Sequence, residues 1–488
     1  MKVIKSILVS ILTIIFIFNC NIGFADNLSN DKEIIIDIPS RKLFLTENNE
    51  VIKEYPVAVG TSATQTPIGQ YKVINKIIDP YYAKLDIPGG SRYNPLGSRW
   101  IGFKPHYGIH GNSNPSSIGT FASAGCVRMF EMDVQELYNT VSYNVPVKVT
   151  YELLKILKDV DGENPIIAVY PDYYNYETDI NLKIDKKLKE IGLYESISKE
   201  DLTYLKNRAK KEITYISNGY AYFINDTYIT NDVINYNQGF YINKTKFERF
   251  FNINMNSIYG EEYCAFREDK IHQVSKDGKN YIAISDLERV FGGSHTFDES
   301  DWSLKYDLDN YILLNGSLIR GQGIALIEYP IIPLYDLIEL LNIDMKITKE
   351  KIKFIYQGKE LKILYHNGEP YISIENVNNV LGVKTNLHTG RKFIELSTDP
   401  VVIYNDNIFN GLRENNEILV PLSIFSTELL SNDLNTVQEH ILSIGRLKTF
   451  NRSGKSYVKL SEVLKMKGYQ VKKKDSYGTK IYIEKRIF

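Results

Sequence analysis

Apolar residues in the first 150 positions come in short runs of strand length, separated by turn formers. Residues 33–38, 42–46 and 51–59 are rich in Ile, Val, Leu and Phe, with Pro39-Ser40 and Glu47-Asn48-Asn49 between them, and predict three strands. Thr66-Pro67-Ile68-Gly69 reads as a turn ahead of a strand over 70–74. Residues 77–96, with Pro80, Pro88, Gly89-Gly90 and Pro95, read as loop. Residues 100–103 and 107–109 have the look of buried strands. Residues 131–141 carry Met132, Leu137 and Val141 at helical spacing among polar neighbours, and 146–151 predict a closing strand. A β-rich domain over residues 33–151 is expected.

The pattern changes after residue 151. Residues 182–192 and 198–212 are charged and helical in spacing, and Ser198 followed by Asp201 fits a loose capping box. Residues 152–215 are therefore expected to form a short, solvated helical connector. From residue 216 a repeat emerges. A strand rich in aromatic or β-branched residues runs into a short amphipathic helix in copies that start at Tyr241, Tyr281, Tyr329, Tyr371, Leu419 and Tyr457. The starts step by 40, 48, 42, 48 and 38 residues, so alternate copies lie 86–90 residues apart. Phe291-Gly292, Leu381-Gly382 and Lys467-Gly468 supply helix stops. Three tandem α+β units of two copies each are expected over 216–488, which makes the chain multidomain.

At the N-terminus Lys2 and Lys5 precede an apolar run over 7–18, and Gly23-Phe24-Ala25 follows. This is the layout of a secretory signal peptide, residues 1–25, cleaved after Ala25. The competing reading, a retained anchor, requires roughly 20 apolar residues to cross a bilayer, and the run is shorter. A secreted, cell-wall-associated protein is expected. A formal net charge of -1, from 58 basic and 59 acidic residues, gives no sign of a nucleic-acid partner. Cleavage leaves two of the three cysteines, Cys126 and Cys264, too few for a disulfide framework. A Cys126–Cys264 bridge is the alternative to free thiols. His272, His295, His366, His388 and His440 are scattered without metal-type spacing, and no Walker or Rossmann glycine run occurs, so neither a metal nor a cofactor is expected.

Candidate chemistry sits at His110-Gly111 and at Ser123-Ala124-Gly125-Cys126-Val127-Arg128-Met129. A free thiol has a pKa of about 8.5, so only a small fraction is thiolate at neutral pH, and an imidazole nearby can take its proton. The two residues are 16 positions apart and must meet in space. The glycines beside them permit close backbone approach and unusual dihedrals. In a strand, Arg128 shares the face of Cys126, where a guanidinium suits a peptide carboxylate or ties the loop through backbone carbonyls. Ser123 either orients the histidine or caps the turn. Tyr107 lines the pocket or fills the core. His106 reads as a loop residue.

Together with Thr66-Pro67-Ile68-Gly69 and Asn94-Pro95-Leu96-Gly97, these ordered motifs resemble the L,D-transpeptidase catalytic domain of the YkuD type, over about a quarter of the chain. The resemblance implies a mostly-β, sandwich-like fold with Cys126 as nucleophile, His110 as base and the Gly111 carbonyl orienting the ring. Ser123, Gly125, Arg128 and Tyr107 would contact substrate. One position departs: many family members carry a second histidine where this chain has Ala124. The reaction implied is attack by Cys126 on a peptidoglycan tetrapeptide stem, release of D-Ala, and aminolysis of the thioester by the diamino acid of another stem, giving a 3→3 cross-link. A role in cell shape and acylation by carbapenems follow from the same resemblance. An L,D-carboxypeptidase and a catalytically inert wall-binding protein are the alternatives. The repeats resemble the stalk domain found at the N-terminus of copper amine oxidases and suggest a spacer or wall-adhesion role, with no copper ligands to match.

Overall fold

The computed structural model describes residues 32–258 without a break and most of 262–485, apart from short gaps and residues 422–446. The expected signal peptide, Tyr329 and the helix expected after Leu419 lie outside the described residues.

The chain forms two compact units. The first takes residues up to Glu152 together with Tyr173–Asn175. Its strands are β1 (Lys32–Asp37), β2 (Lys42–Glu47), β3 (Glu50–Pro56), β4 (Val59–Gly60), β5 (Gly69–Lys72), β6 (Asn75–Ile78), β7 (Arg99–Lys104), β8 (Tyr107–His110), β9 (Phe121–Ser123), β10 (Val127–Arg128) and β11 (Pro146–Thr150). One sheet runs β3-β2-β1-β11-β5, a second β10-β8-β7-β6, and β4 pairs with β9. The run expected as one strand over 51–59 is two, because the chain leaves β3 at Pro56 and Ala58 bridges to Arg128. Ile34, Ile36, Leu43, Val147 and Val149 of the first sheet meet Ile101, Phe103, Ile109 and Val127 of the second in one core. The period-two alternation of β11, with Val147 and Val149 buried and Lys148 exposed, shows how one face of the strand is selected. The helix Glu131–Thr140 adds Val134 and Leu137 to the same core.

In the second unit, residues 154–172 and 176–216 are not simply helical. Helices Ile180–Glu190 and Lys199–Arg208 form where the spacing predicts them, and Ser198 accepts a hydrogen bond from the Asp201 N–H as N-cap. Strands Leu154–Leu157, Ile166–Val169 and Thr214–Ile216 build an antiparallel sheet beneath them. Ile167, Val169, Ile184, Leu188, Leu202 and Leu205 share a buried core, which corrects the solvated-connector expectation. The missed strand Ile-Ile-Ala-Val is four residues, all buried, and too short to show alternation.

Beyond residue 220 one topology occurs three times. A first strand pairs in parallel with the last: Ala221–Ile224 with Ser303–Asp307, Tyr311–Leu314 with Phe393–Ser397, and Val401–Tyr404 with Lys480–Lys485. Between them two strands pair antiparallel in a second sheet: Gly239–Asn243 with Lys279–Ala283, Pro330–Pro333 with Glu369–Ser373, and Glu417–Pro421 with Lys455–Lys459. Helices Lys244–Phe251, Ile284–Phe291, Ile374–Asn379 and Leu460–Val463 directly follow strands of these second sheets. Side chains of Asn243 and Ser373 cap two of them. Among the described residues no helix is long and apolar enough to cross a membrane, and no cluster could hold a metal ion.

Candidate active site

The site is set by the parallel pairing of β8 and β10, with Val127 beside Ile109 and Arg128 beside His110. Ile109 and Val127 point into the core. Side chains alternate along a strand, so His110 and Arg128 share the opposite face. Cys126 stands at the entry to β10, where the Gly108 backbone makes a hydrogen bond to its thiol, and the Arg128 guanidinium acts on both Cys126 and His110, which puts thiol and ring on the Arg128 side of the sheet. The sequence alone names these residues; the register brings them together.

His110 is buried, and its ring stacks on Trp100, with centroids 5.6 Å apart and planes at 13°. Its Nδ1 lies 2.6 Å from the Gly111 carbonyl oxygen. A carbonyl only accepts, so Nδ1 carries the proton and Nε2 of the neutral ring is left as a base. Burial pushes the imidazole down to about 4, outweighing the Gly111 hydrogen bond, and the Arg128 guanidinium lowers it further. Burial pushes the Cys126 thiol up, against the pull of a backbone hydrogen bond at Gly108 and of Arg128. Its Sγ–H points at the His106 carbonyl, 3.6 Å away. At neutral pH the resting pair is therefore thiol and imidazole, not thiolate and imidazolium. The arrangement suits general-base removal of the thiol proton as a bond to carbon forms.

Ser123 is buried, and its hydroxyl is fully used within the turn: it accepts from the Gly125 N–H at 3.0 Å and donates to the Cys126 carbonyl. It caps the nucleophile's turn, the second of the two roles expected of it. Gly125 has φ of 106°, and a Cβ there would lie 2.7 Å from the Tyr107 ring and 3.1 Å from the Gln65 carbonyl. Its role is conformational, because its N–H is already taken by Ser123. Tyr107 is half-buried and packs against the core while walling the turn. Among the described residues the Arg128 guanidinium makes no ion pair or hydrogen bond, so it does not tie the loop. Cys126 and Cys264 are both free thiols.

Three supports were not read from the sequence. Thr66 is buried and accepts from the Gly60 N–H at 2.8 Å. Tyr174, from beyond the catalytic strands, donates from its hydroxyl to the Gly60 carbonyl at 2.8 Å and accepts from the Thr66 N–H at 3.1 Å. Its ring stacks on Tyr151 at 4.9 Å, and the neighbouring Tyr173 stacks on Phe121 at 4.0 Å. Gly60 pairs with Ser123, so this clasp holds the floor of the cysteine turn. Glu131, in the first turn of its helix, accepts from the Asn112 N–H at 2.8 Å and from the Ser98 N–H and hydroxyl at 3.1 and 2.7 Å. In sequence it looks like an ordinary helix-start acid.

Residues 31–149 match the YkuD family, the L,D-transpeptidase catalytic domain. The chain is 39% identical over 129 residues to YqjB of Bacillus subtilis (strain 168), covering 25% of this chain and 73% of that protein. It is 42% identical over 120 residues to YkuD of the same strain, covering 24% of this chain and 66% of that one. Both relatives are named as L,D-transpeptidases. A solved L,D-transpeptidase from Mycobacterium smegmatis aligns at 20% identity with a TM-score of 0.21, covering 25% of this chain and 58% of the other. The N-terminal quarter is thus of the peptidoglycan-modifying acyltransferase class. The chain belongs to the L,D-transpeptidase family.

Proposed function

We propose that this protein is an exported L,D-transpeptidase that forms 3→3 peptidoglycan cross-links through a thioester on Cys126. His110 Nε2 takes the thiol proton as Sγ attacks the carbonyl between the third stem residue and the terminal D-Ala. The imidazolium returns that proton to the leaving amine, and D-Ala departs. The side-chain amine of a second stem then attacks the thioester, its proton passing to His110 and on to the departing thiolate. Arg128, without a partner of its own among the described residues, binds the carboxylate of the donor stem. What carries this reading is the Nδ1 contact with Gly111 at 2.6 Å, which leaves Nε2 unprotonated on the face shared with Cys126.

Incubation with a disaccharide-tetrapeptide, followed by mass spectrometry, tests it. Cross-linked dimer that is absent in Cys126→Ala supports the transpeptidase. Trimmed tripeptide without dimer replaces it by a carboxypeptidase, and no product with either protein leaves a wall-binding role. Meropenem is expected to add covalently to the wild type and not to Cys126→Ala. Export through residues 1–25 and wall adhesion by the stalk-like repeats of 216–488 complete the proposal. Full-length protein that fails to co-sediment with purified walls would remove the adhesion role.

A further inference from the structure

We propose that Glu131 is a positioning residue for His110, acting through the single peptide plane that joins Gly111 to Asn112. The proposal rests on the reading of His110 as the base. That peptide is rigid and planar. Its carbonyl accepts from His110 Nδ1 at 2.6 Å, and its N–H donates to Glu131 Oε1 at 2.8 Å. An amide hydrogen-bonded at both ends is polarised, so a carboxylate on the N–H makes the carbonyl a stronger acceptor for the ring. The carboxylate does through one amide what the acidic member of a nucleophile–histidine–acid triad does by direct contact.

The local construction favours this connection over an incidental one. Oε2 is fixed by the Ser98 N–H at 3.1 Å and the Ser98 hydroxyl at 2.7 Å, and Gln135 Nε2 donates to that hydroxyl at 2.9 Å. Every partner of both oxygens is a donor, the pattern an acceptor-only carboxylate takes. Glu131 opens a helix whose preceding residue, Phe130, has no side chain able to cap it, yet the carboxylate turns outward to Ser98 and Asn112. Two glycines clear its path. A Cβ on Gly97 would sit 1.9 Å from Glu131 Oε1, and one on Gly111 would sit 2.0 Å from the same atom. Both belong to motifs singled out in the sequence, Asn94-Pro95-Leu96-Gly97 and His110-Gly111, and their absent side chains meet at this one oxygen.

A merely structural tie between three loops predicts something different for Glu131→Gln. Glutamine keeps the length and can still accept from the Asn112 N–H, but it lacks the charge. For the positioning role, kcat for cross-linking falls about tenfold to a hundredfold with KM unchanged, the range usual when the outer partner that orients an active-site group is lost. The Nδ1–H proton resonance of His110, read in protein labelled with ¹⁵N-histidine, moves upfield because its hydrogen bond weakens. Only seven histidines are present, so assignment by His110→Gln is direct. Glu131→Ala tests the same point by rescue: a cavity of about 290 Å³ lined by Arg92, Asn94, Ser98, Asn112 and Glu131 admits formate, which is expected to restore part of the lost kcat. Wild-type kcat together with an unmoved resonance in Glu131→Gln overturns the proposal. A wild type that neither cross-links stems nor reacts with meropenem sinks the transpeptidase reading instead, while the resonance still reports on Glu131.

Discussion

Trp100 provides a direct gauge of the protonation of His110. The two rings stack at 5.6 Å, and the chain has only two tryptophans, so in a Trp302→Phe background the indole fluorescence reports the imidazole alone. An imidazolium against an indole quenches it; a neutral imidazole does so far less. Burial holds the imidazole at about 4. The expected quenching midpoint is therefore near pH 4, and His110→Gln is flat over the same range. The same shift has a stability consequence. Unfolded, the ring takes up its proton near pH 6.5; folded, it resists until about 4. Between those values the unfolded chain binds the extra proton, so stability is complete above 6.5 and is lost as pH falls toward 4. Moving one imidazole over that interval is worth about 3 kcal/mol. Urea melts followed by Trp100 at pH 7 and pH 4 should show this loss in the wild type beyond that seen in His110→Gln. A quenching midpoint at pH 6 or above, or equal losses in the two proteins, refutes the reasoning.

Inactivation by iodoacetamide should accelerate about tenfold per pH unit from pH 6 to 9, because the buried thiol ionises late; a plateau across neutral pH would reveal a preformed ion pair and contradict the neutral resting state. Arg128→Gln is expected to raise KM for the tetrapeptide donor and to move the Trp100 quenching midpoint upward, since the guanidinium lowers the imidazole; an unchanged midpoint counts against that coupling. Tyr174→Phe removes one hydroxyl that serves both Gly60 and Thr66, and the two buried backbone groups left unpaired should cost about 2–4 kcal/mol in a urea melt. Gly125→Ala should lower activity about a hundredfold, the usual cost of displacing a reacting group by about an ångström, because its Cβ meets the Tyr107 ring at 2.7 Å; an active Gly125→Ala protein would show that the turn has slack.

The strands of the catalytic unit were legible because each carries its own period and its own breaker. Val147 and Val149 alternate with exposed neighbours, and Pro39-Ser40 separates β1 from β2. Cys126 and His110 were legible as residue types beside glycines, and their shared face became visible only with the parallel register of β8 and β10. Glu131 and Tyr174 escaped for a physical reason. Each acts through backbone groups of a distant segment, Asn112 and Ser98 for one and Gly60 and Thr66 for the other, and backbone acceptors and donors leave no trace in a side-chain alphabet. Ser123 was ambiguous between two partners until its hydroxyl was found bonded on both sides within its own turn. The strand Ile166–Val169 was lost among helices because four consecutive buried residues have no period to read.

In the second unit each first strand is paired by the last strand of its own segment, and the first strands begin at Ala221, Tyr311 and Val401, 90 residues apart. Strand pairing is thus confined to each segment, while the apolar core is not: Tyr311 of the second segment meets Phe251 of the first edge-on at 5.4 Å, within one shared cluster. Excising residues 311–400 would remove the three sheets of one copy and orphan no described strand in the other two, yet it would strip Tyr311, Leu318 and Phe393 from the core of the first segment. A change in copy number therefore leaves the strand pairing of the remaining copies intact but has to rebuild an apolar seam, the neighbour interface that couples stacked repeats.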